Sequence, residues 1–246
     1  MTESSRPEFH SLSTVNNGYC TTLDKLSLGT IDQDHSSDGV TKNLIYVVLV
    51  ASGSFNPPTL VHLRMFELAK DALSLEGYYV IGGYMSPVND AYKKRAKQSS
   101  FLRTLTVLAR IQNCLLESGL ISRESLRVML VCGSDLLESF SIPGAWICEQ
   151  VRSICRDYKV VCIRREGKDV EKIVSSDDIL YENKDNIKIV DELIPNQINS
   201  TRVRECISRG LSVKYLTSDE VIDYIRKSIY TQATHDPQCN QNLAIF

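Results

Sequence analysis

Three clusters of residue types, far apart in the chain, are suited to holding a polyphosphate. The first is Gly53-Ser54-Phe55-Asn56-Pro57-Pro58-Thr59, followed by His62. An apolar, β-branched run ends in this glycine turn, and helix-period sequence follows. A strand that turns through glycine into a helix aims backbone N–H groups and the positive end of the helix dipole at one spot. His62 lies about one turn into that helix, within reach of the same anion. The second is Ile198-Asn199-Ser200-Thr201-Arg202-Val203-Arg204. Small hydroxyl residues open a helix there, and the i, i+3 spacing puts Thr201 and Arg204 on one face. A hydroxyl, free amides and a guanidinium then converge on an anion. The third is the basic run Tyr92-Lys93-Lys94-Arg95, with Lys97 close behind.

Taken singly, each cluster also fits a blander account. These are a plain βα turn with a helix-surface histidine, a serine N-cap with solvated arginines, and a solvated basic loop or nuclear-import patch. Gly133-Ser134-Asp135-Leu136 follows another apolar run, so it falls at the carboxyl edge of a sheet, where open α/β folds bind ligands. Asp135 fits a helix cap equally well. Trp146, the single tryptophan, follows Pro143-Gly144 and suits either core packing or stacking on a planar ring.

The elements that must carry these residues alternate. Strands are predicted over 44–52, 78–86, 127–135, 159–165 and 187–193. Helices are predicted over 59–76 (closed by Gly77), 103–116, 147–155, 200–209 (stopped by Gly210) and 219–229. Thr217 and Glu220 fit a capping box for the last helix. This alternation predicts an α/β, Rossmann-like parallel sheet with helices on both faces. Residues 1–41, rich in Ser, Thr, Asp and Asn, read as a mobile polar tail, 42–230 as the nucleotide-binding domain, and 231–246 as a second loose tail.

Of 246 residues, 43% are hydrophobic and 24% charged, and the net charge is −2, so nothing global favours a nucleic acid or a membrane surface as partner. No apolar run approaches the roughly 20 residues needed to span a bilayer, and the amino terminus lacks a secretory pattern. The eight cysteines form no C-x-x-C pair. They read as free thiols in a reducing compartment, cytoplasmic and/or nuclear. No metal-ligand set is expected.

Together the strings GSFNPPTLVHLRMFELAKD, SPVNDAYKK, LVCGSDLLESF with PGAW, and INSTRVR with GLSVKYL resemble the eukaryotic-type nicotinamide/nicotinate mononucleotide adenylyltransferases, over roughly residues 44–230. Thr59-x-x-His62 stands where the wider nucleotidyltransferase superfamily carries His-x-Gly-His, with threonine replacing the first histidine. The resemblance implies transfer of AMP from ATP to nicotinamide or nicotinate mononucleotide, with Mg²⁺ carried by the ATP phosphates. It implies catalytic roles for His62, Lys94 and Arg204. Gly53, Ser54, Phe55, Thr59, Gly133, Asp135, Leu136, Glu192, Asn196, Ser200 and Thr201 would bind nucleotide, and Phe101, Thr104 and Trp146 would form a nicotinamide pocket. Family members carry an additional helix and strand after the Lys-Lys loop. Here KKRAKQSSFLRTL joins the two sides directly, so one outer helix-strand unit is expected to be missing. The exposed sheet edge left behind invites association into a homo-oligomer. The alternative implied is a catalytically impaired member that keeps nucleotide binding. A dehydrogenase is disfavoured, because no G-x-G-x-x-G follows the first strand.

Overall fold

In the computed structural model, residues 23, 26–28, 44–87, 99–194 and 196–233 are described, without the side chains of 99–103 and 229–233. Five strands, β1 (Ile45–Gly53), β2 (Tyr78–Pro87), β3 (Leu126–Gly133), β4 (Val160–Ile163) and β5 (Ile187–Val190), make one parallel sheet in the order 2-1-3-4-5. Residues Val47–Ala51 are buried on both faces, as the near-continuous apolar run of a central parallel strand requires. Val48 and Val50 pack with Leu130 and Cys162 on one face, and Val47 and Leu49 with Met129 and Val161 on the other.

Helix α1 (Leu60–Leu75) covers the second face through Met65, Leu68, Ala69 and Leu73. Its neighbour α2 (Ser99–Glu117) covers the first through Leu108, Ile111 and Leu115, the i, i+3, i+7 stripe of an amphipathic helix. Two short helices follow β3: α3 (Ser134–Phe140) and α4 (Cys148–Ser153), the latter running into a π-helical turn at Ile154–Tyr158. Sequence periodicity does not announce α5 (Val170–Ser175) or α6 (Asp178–Glu182), which are too short to show it. Each is started by an aspartate, Asp169 or Asp177, that accepts from a backbone N–H. The described residues end in α7 (Ser200–Ser208) and α8 (Asp219–Ala233), joined over a small core of Val203, Val213 and Ile222.

β2 is an edge strand, and among the described residues no strand pairs with its outer side. A register shift opposite Val47/Val48 leaves Ile81 unmatched against β1, and its carbonyl accepts the Ser27 N–H at 2.8 Å. Leu26 is only 7% exposed and packs with Ile81 and Leu108 in the main core. Leu26 and Ser27, within the stretch read as a polar tail, thus contact the sheet. Because the chain leaves β1 toward β2 on one side and β3 on the other, the carboxyl ends of β1 and β3 flank a topological switch point, where such sheets bind ligands.

Candidate active site

Thr59 caps α1 with an extended backbone (φ −127°, ψ 162°). Its N–H donates to Nδ1 of His62 at 2.9 Å, and its hydroxyl oxygen lies 3.0 Å from the same nitrogen. A ring nitrogen that accepts a backbone donor carries no proton, so the neutral imidazole holds its proton on Nε2. The His62 ring also meets that of Phe55 edge-on, with centroids 5.0 Å apart and planes at 86°. Phe55 has φ of 42°, a left-handed conformation unusual for a residue with a β-carbon, and it bends the loop over the histidine. Burial, and then the charge of Arg165, push the His62 pKa below the ordinary imidazole value of 6.5. The group is a neutral hydrogen-bond donor. Thr59 itself is 2% exposed and is turned toward His62.

The start of α1 is partly capped from within the protein. Leu60 N–H donates to the Leu216 carbonyl at 3.0 Å, and His62 N–H to the Thr59 carbonyl at 3.0 Å. Two of the first three α1 amides are therefore committed within the protein. Donor groups bordering the cavity are carried by Ser54, His62, Arg165, Ser200, Thr201 and Arg204.

In α7 the cap is Asn199, whose side chain accepts the Arg202 N–H at 2.9 Å. Ser200 is thereby freed from capping, and its hydroxyl donates to the Pro57 carbonyl at 2.9 Å. Arg204 donates to the Asn56 carbonyl at 2.5 Å and to the Thr201 hydroxyl at 3.1 Å. The i, i+3 pairing expected from sequence is thus realised. The first and second phosphate clusters are bonded to each other across 143 residues or more. Ser54, His62, Asp135, Arg165, Thr201 and Arg204 share the walls of one open cavity. A second, contiguous with it, is floored by Gly53, Phe55, Cys132, Gly133 and Leu136.

Arg165 is the residue that sequence reading missed. It follows β4, and its guanidinium reaches Asp135 at 3.1 Å while its N–H donates to the Ser134 hydroxyl at 3.2 Å. A β-carbon at Gly133 would come within 3.1 Å of Arg165 Nε, so the glycine makes room for it. Its position two residues past β4, at the ligand edge of the sheet, marks the Arg164–Arg165 pair as candidates without telling one arginine from the other. Arg164, its neighbour, is committed elsewhere, to Glu171 and to Asp191 at 2.6 Å. The Arg164 guanidinium, and then a backbone N–H, hold the Glu171 carboxyl down at about 2.

Glu192 and Asn196 line a third cavity, which shares Gly133 and Arg165 with the second. There Glu192 faces Arg64 at 3.5 Å. Trp146 lines none of these cavities: its Nε1–H donates to the Ser139 hydroxyl at 3.0 Å, and its ring meets Phe140 edge-on at 4.7 Å. Thr104 is 3% exposed, with its hydroxyl 3.2 Å from that of Ser52. Lys94 lies outside the described residues, as does the side chain of Phe101. Among the described residues no three His, Cys, Asp or Glu side chains gather as a metal site, and no helix is long and apolar enough to cross a membrane.

Residues 50–206 match the Cytidylyltransferase-like family. A nicotinamide/nicotinic acid mononucleotide adenylyltransferase of Arabidopsis thaliana is 53% identical over 241 residues, covering 86% of this chain and 98% of that protein. The chain belongs to the nicotinamide/nicotinic acid mononucleotide adenylyltransferase family. A rice member is 58% identical over 215 residues (76% of this chain, 86% of the relative), and a bovine one 34% over 254 (77% and 90%). The Arabidopsis alignment runs over 241 positions but takes in 86% of these 246 residues, so that family member carries internal residues with no counterpart here.

Proposed function

We propose that this chain transfers AMP from ATP to nicotinamide or nicotinate mononucleotide, forming NAD or its deamido form and releasing pyrophosphate. One observation carries the reading. A neutral histidine, its Nδ1 occupied by a backbone amide, shares a cavity with a paired hydroxyl and guanidinium from a helix start. That is a place for one phosphate on the imidazole and the next two on Thr201 and Arg204.

The 5′-phosphate oxygen of the mononucleotide attacks the α-phosphorus of ATP in line. The bond from that phosphorus to the bridging oxygen breaks, and pyrophosphate leaves. No side chain needs to bond covalently, so the protein's contribution is alignment and charge stabilisation. His62 Nε2–H donates to a non-bridging α-phosphate oxygen as charge accumulates there. Thr201 and Arg204 hold the departing β- and γ-phosphates, and Arg165 adds positive charge beside His62. The Gly53–Phe55 loop and Asp135 border the nucleotide, with Glu192 and Asn196 on the adjoining cavity wall. Lys94, Phe101, Thr104 and Trp146 are assigned to the mononucleotide side. Mg²⁺ is assigned to the substrate: bound to the ATP phosphates, it neutralises their oxygens. The thiols facing each other at Cys132 and Cys162 suit a reducing compartment, the cytoplasm and/or nucleus.

The test is chromatography of the products formed by the purified chain from ATP, Mg²⁺ and each mononucleotide separately. NAD or its deamido analogue should appear with equimolar pyrophosphate. ATP bound with no dinucleotide formed from either substrate overturns the reading.

A further inference from the structure

The sequence pattern assigns Thr217 to a capping box with Glu220, and the structure uses it otherwise. Ser218 supplies the start of α8: its carbonyl accepts the Ile222 N–H at 3.1 Å, and the Glu220 carboxyl is held below its ordinary pKa first by a backbone N–H and then by the Ser218 hydroxyl. The Thr217 hydroxyl instead donates to the Pro58 carbonyl at 2.6 Å, across 159 residues, and Thr217 is 3% exposed. Beside it, the Leu216 carbonyl accepts the Leu60 N–H at 3.0 Å.

These two contacts straddle Thr59. One holds the carbonyl of the residue before it, and the other the amide of the residue after it. Thr59 in turn points its own N–H at His62 Nδ1. Pro57 and Pro58 have no N–H of their own, so the backbone of these two residues can be anchored only through its carbonyls. The anchors on Asn56 and Pro57 come from Arg204 and Ser200, residues that also border the cavity. Thr217 lines neither cavity that contains His62. The turn is also under tension: Tyr215, two residues earlier, is held at φ 65° while 77% exposed, so its own side-chain packing does not explain the conformation.

We propose that Thr217 is a positioning residue for the adenylyl-transfer reaction. Through Pro58 it fixes the Thr59 amide against His62, and so sets the ring's tautomer and aim from the C-terminal helix pair. This rests on the role given to His62 above.

The experiment compares Thr217→Val, which keeps the shape and removes the hydroxyl, with Thr217→Ser, which restores it. Histidine ¹⁵N shifts, with the His62 resonance assigned from His62→Gln, report the tautomer directly. Steady-state kinetics and Tm are measured on the same proteins. Loss of one buried hydrogen bond corresponds to roughly a tenfold change. Thr217→Val should lower kcat by about that factor, leave KM for ATP within about twofold, and move His62 toward a mixture of tautomers. Thr217→Ser should restore both. Thr217→Ala must give the same His62 signature, which keeps the test decisive should the valine not be accommodated. Unchanged His62 shifts and kcat alongside a lowered Tm would overturn the proposal and leave Thr217 a packing residue. Should the wild-type chain form no dinucleotide, the functional reading falls, while the nitrogen shifts still decide whether Thr217 positions His62.

Discussion

The amide of Thr59 and Nδ1 of His62, 2.9 Å apart, fix which nitrogen of the imidazole carries the proton. Protonating Nδ1 would set two N–H groups against each other, which adds to the effects of burial and of the nearby Arg165 charge. His62 therefore works as a neutral donor, and the pH dependence follows. Its folded-state pKa lies below the ordinary 6.5, so the unfolded chain takes up the proton first as pH falls. The stability contributed is full above 6.5 and is lost as pH drops through the lowered folded value. Urea midpoints of wild type should fall between pH 7.5 and 5.5 more steeply than those of His62→Gln. His62→Ala should lower kcat by about 10²–10³, the cost of one donor to a developing oxyanion. Parallel midpoints, or near-normal turnover, would count against the role.

Arg165 links two parts of the site, since it pairs with Asp135 and its charge acts on His62. Arg165→Ala should reduce kcat/KM for ATP by about a hundredfold, as expected for loss of a charge-assisted donor near the reacting phosphate. It should also let the His62 pKa rise toward its ordinary value, visible by NMR titration. Gly133→Ala should give a weaker version of both effects, because its β-carbon would crowd Nε from 3.1 Å. An Arg165→Ala variant with an unmoved His62 titration would separate the two residues.

Much of this was legible in the chain. Strand-helix alternation located the five strands of the described residues, and the spacing of Thr201 and Arg204 foretold their contact at 3.1 Å. Local pattern could not reveal what depends on distant partners. Ser200 looks like a cap until Asn199 takes that role and Pro57 claims the hydroxyl. Thr217 looks like a cap until Pro58 does the same. Leu26 sits in polar sequence, and only the unmatched Ile81 at the sheet edge gives it a place to dock. Arg165 lies beside an arginine of opposite duty, and nothing in IRREG distinguishes the two.

Arg204 serves the Asn56 carbonyl and the Thr201 hydroxyl from two arms of one planar fork. Lysine presents a single point charge and cannot hold both in that geometry. Arg204→Lys should therefore behave nearly as Arg204→Ala, raising KM for ATP about tenfold or more and lowering kcat. Binding of inorganic pyrophosphate, followed by calorimetry, should weaken in parallel. A lysine variant with wild-type kinetics would show that charge alone suffices.

Phe66 of α1 lies over Gly83 of β2, and a β-carbon there would sit 2.6 Å from the ring. Gly83→Ala should cost about 1–3 kcal/mol, the usual penalty of overpacking. Phe66→Leu should cost stability alone yet relieve the alanine, so the double variant should be more stable than the sum of the single losses implies. Strict additivity in urea denaturation would mean that the ring moves aside without cost.

The buried Leu26 decides whether its segment is a tail or a component of the domain. It fills space beside Ile81 and Leu108 at the open edge of the sheet. Truncating a leucine so placed costs about 2–5 kcal/mol, depending on how far the site collapses. At roughly 2–4 °C per kcal/mol for a domain of this size, Leu26→Ala should lower Tm by several degrees. Leu26→Asp should lower it further, because it would bury a carboxylate in the apolar main core. Removing residues 1–41 should reproduce the leucine loss and also free the Ile81 carbonyl, uncovering more of β2. A truncated chain with unchanged Tm would return the whole segment to the status of a tail. A truncated chain that self-associates would locate the cause at the β2 edge, since that is the strand the segment contacts through a backbone hydrogen bond.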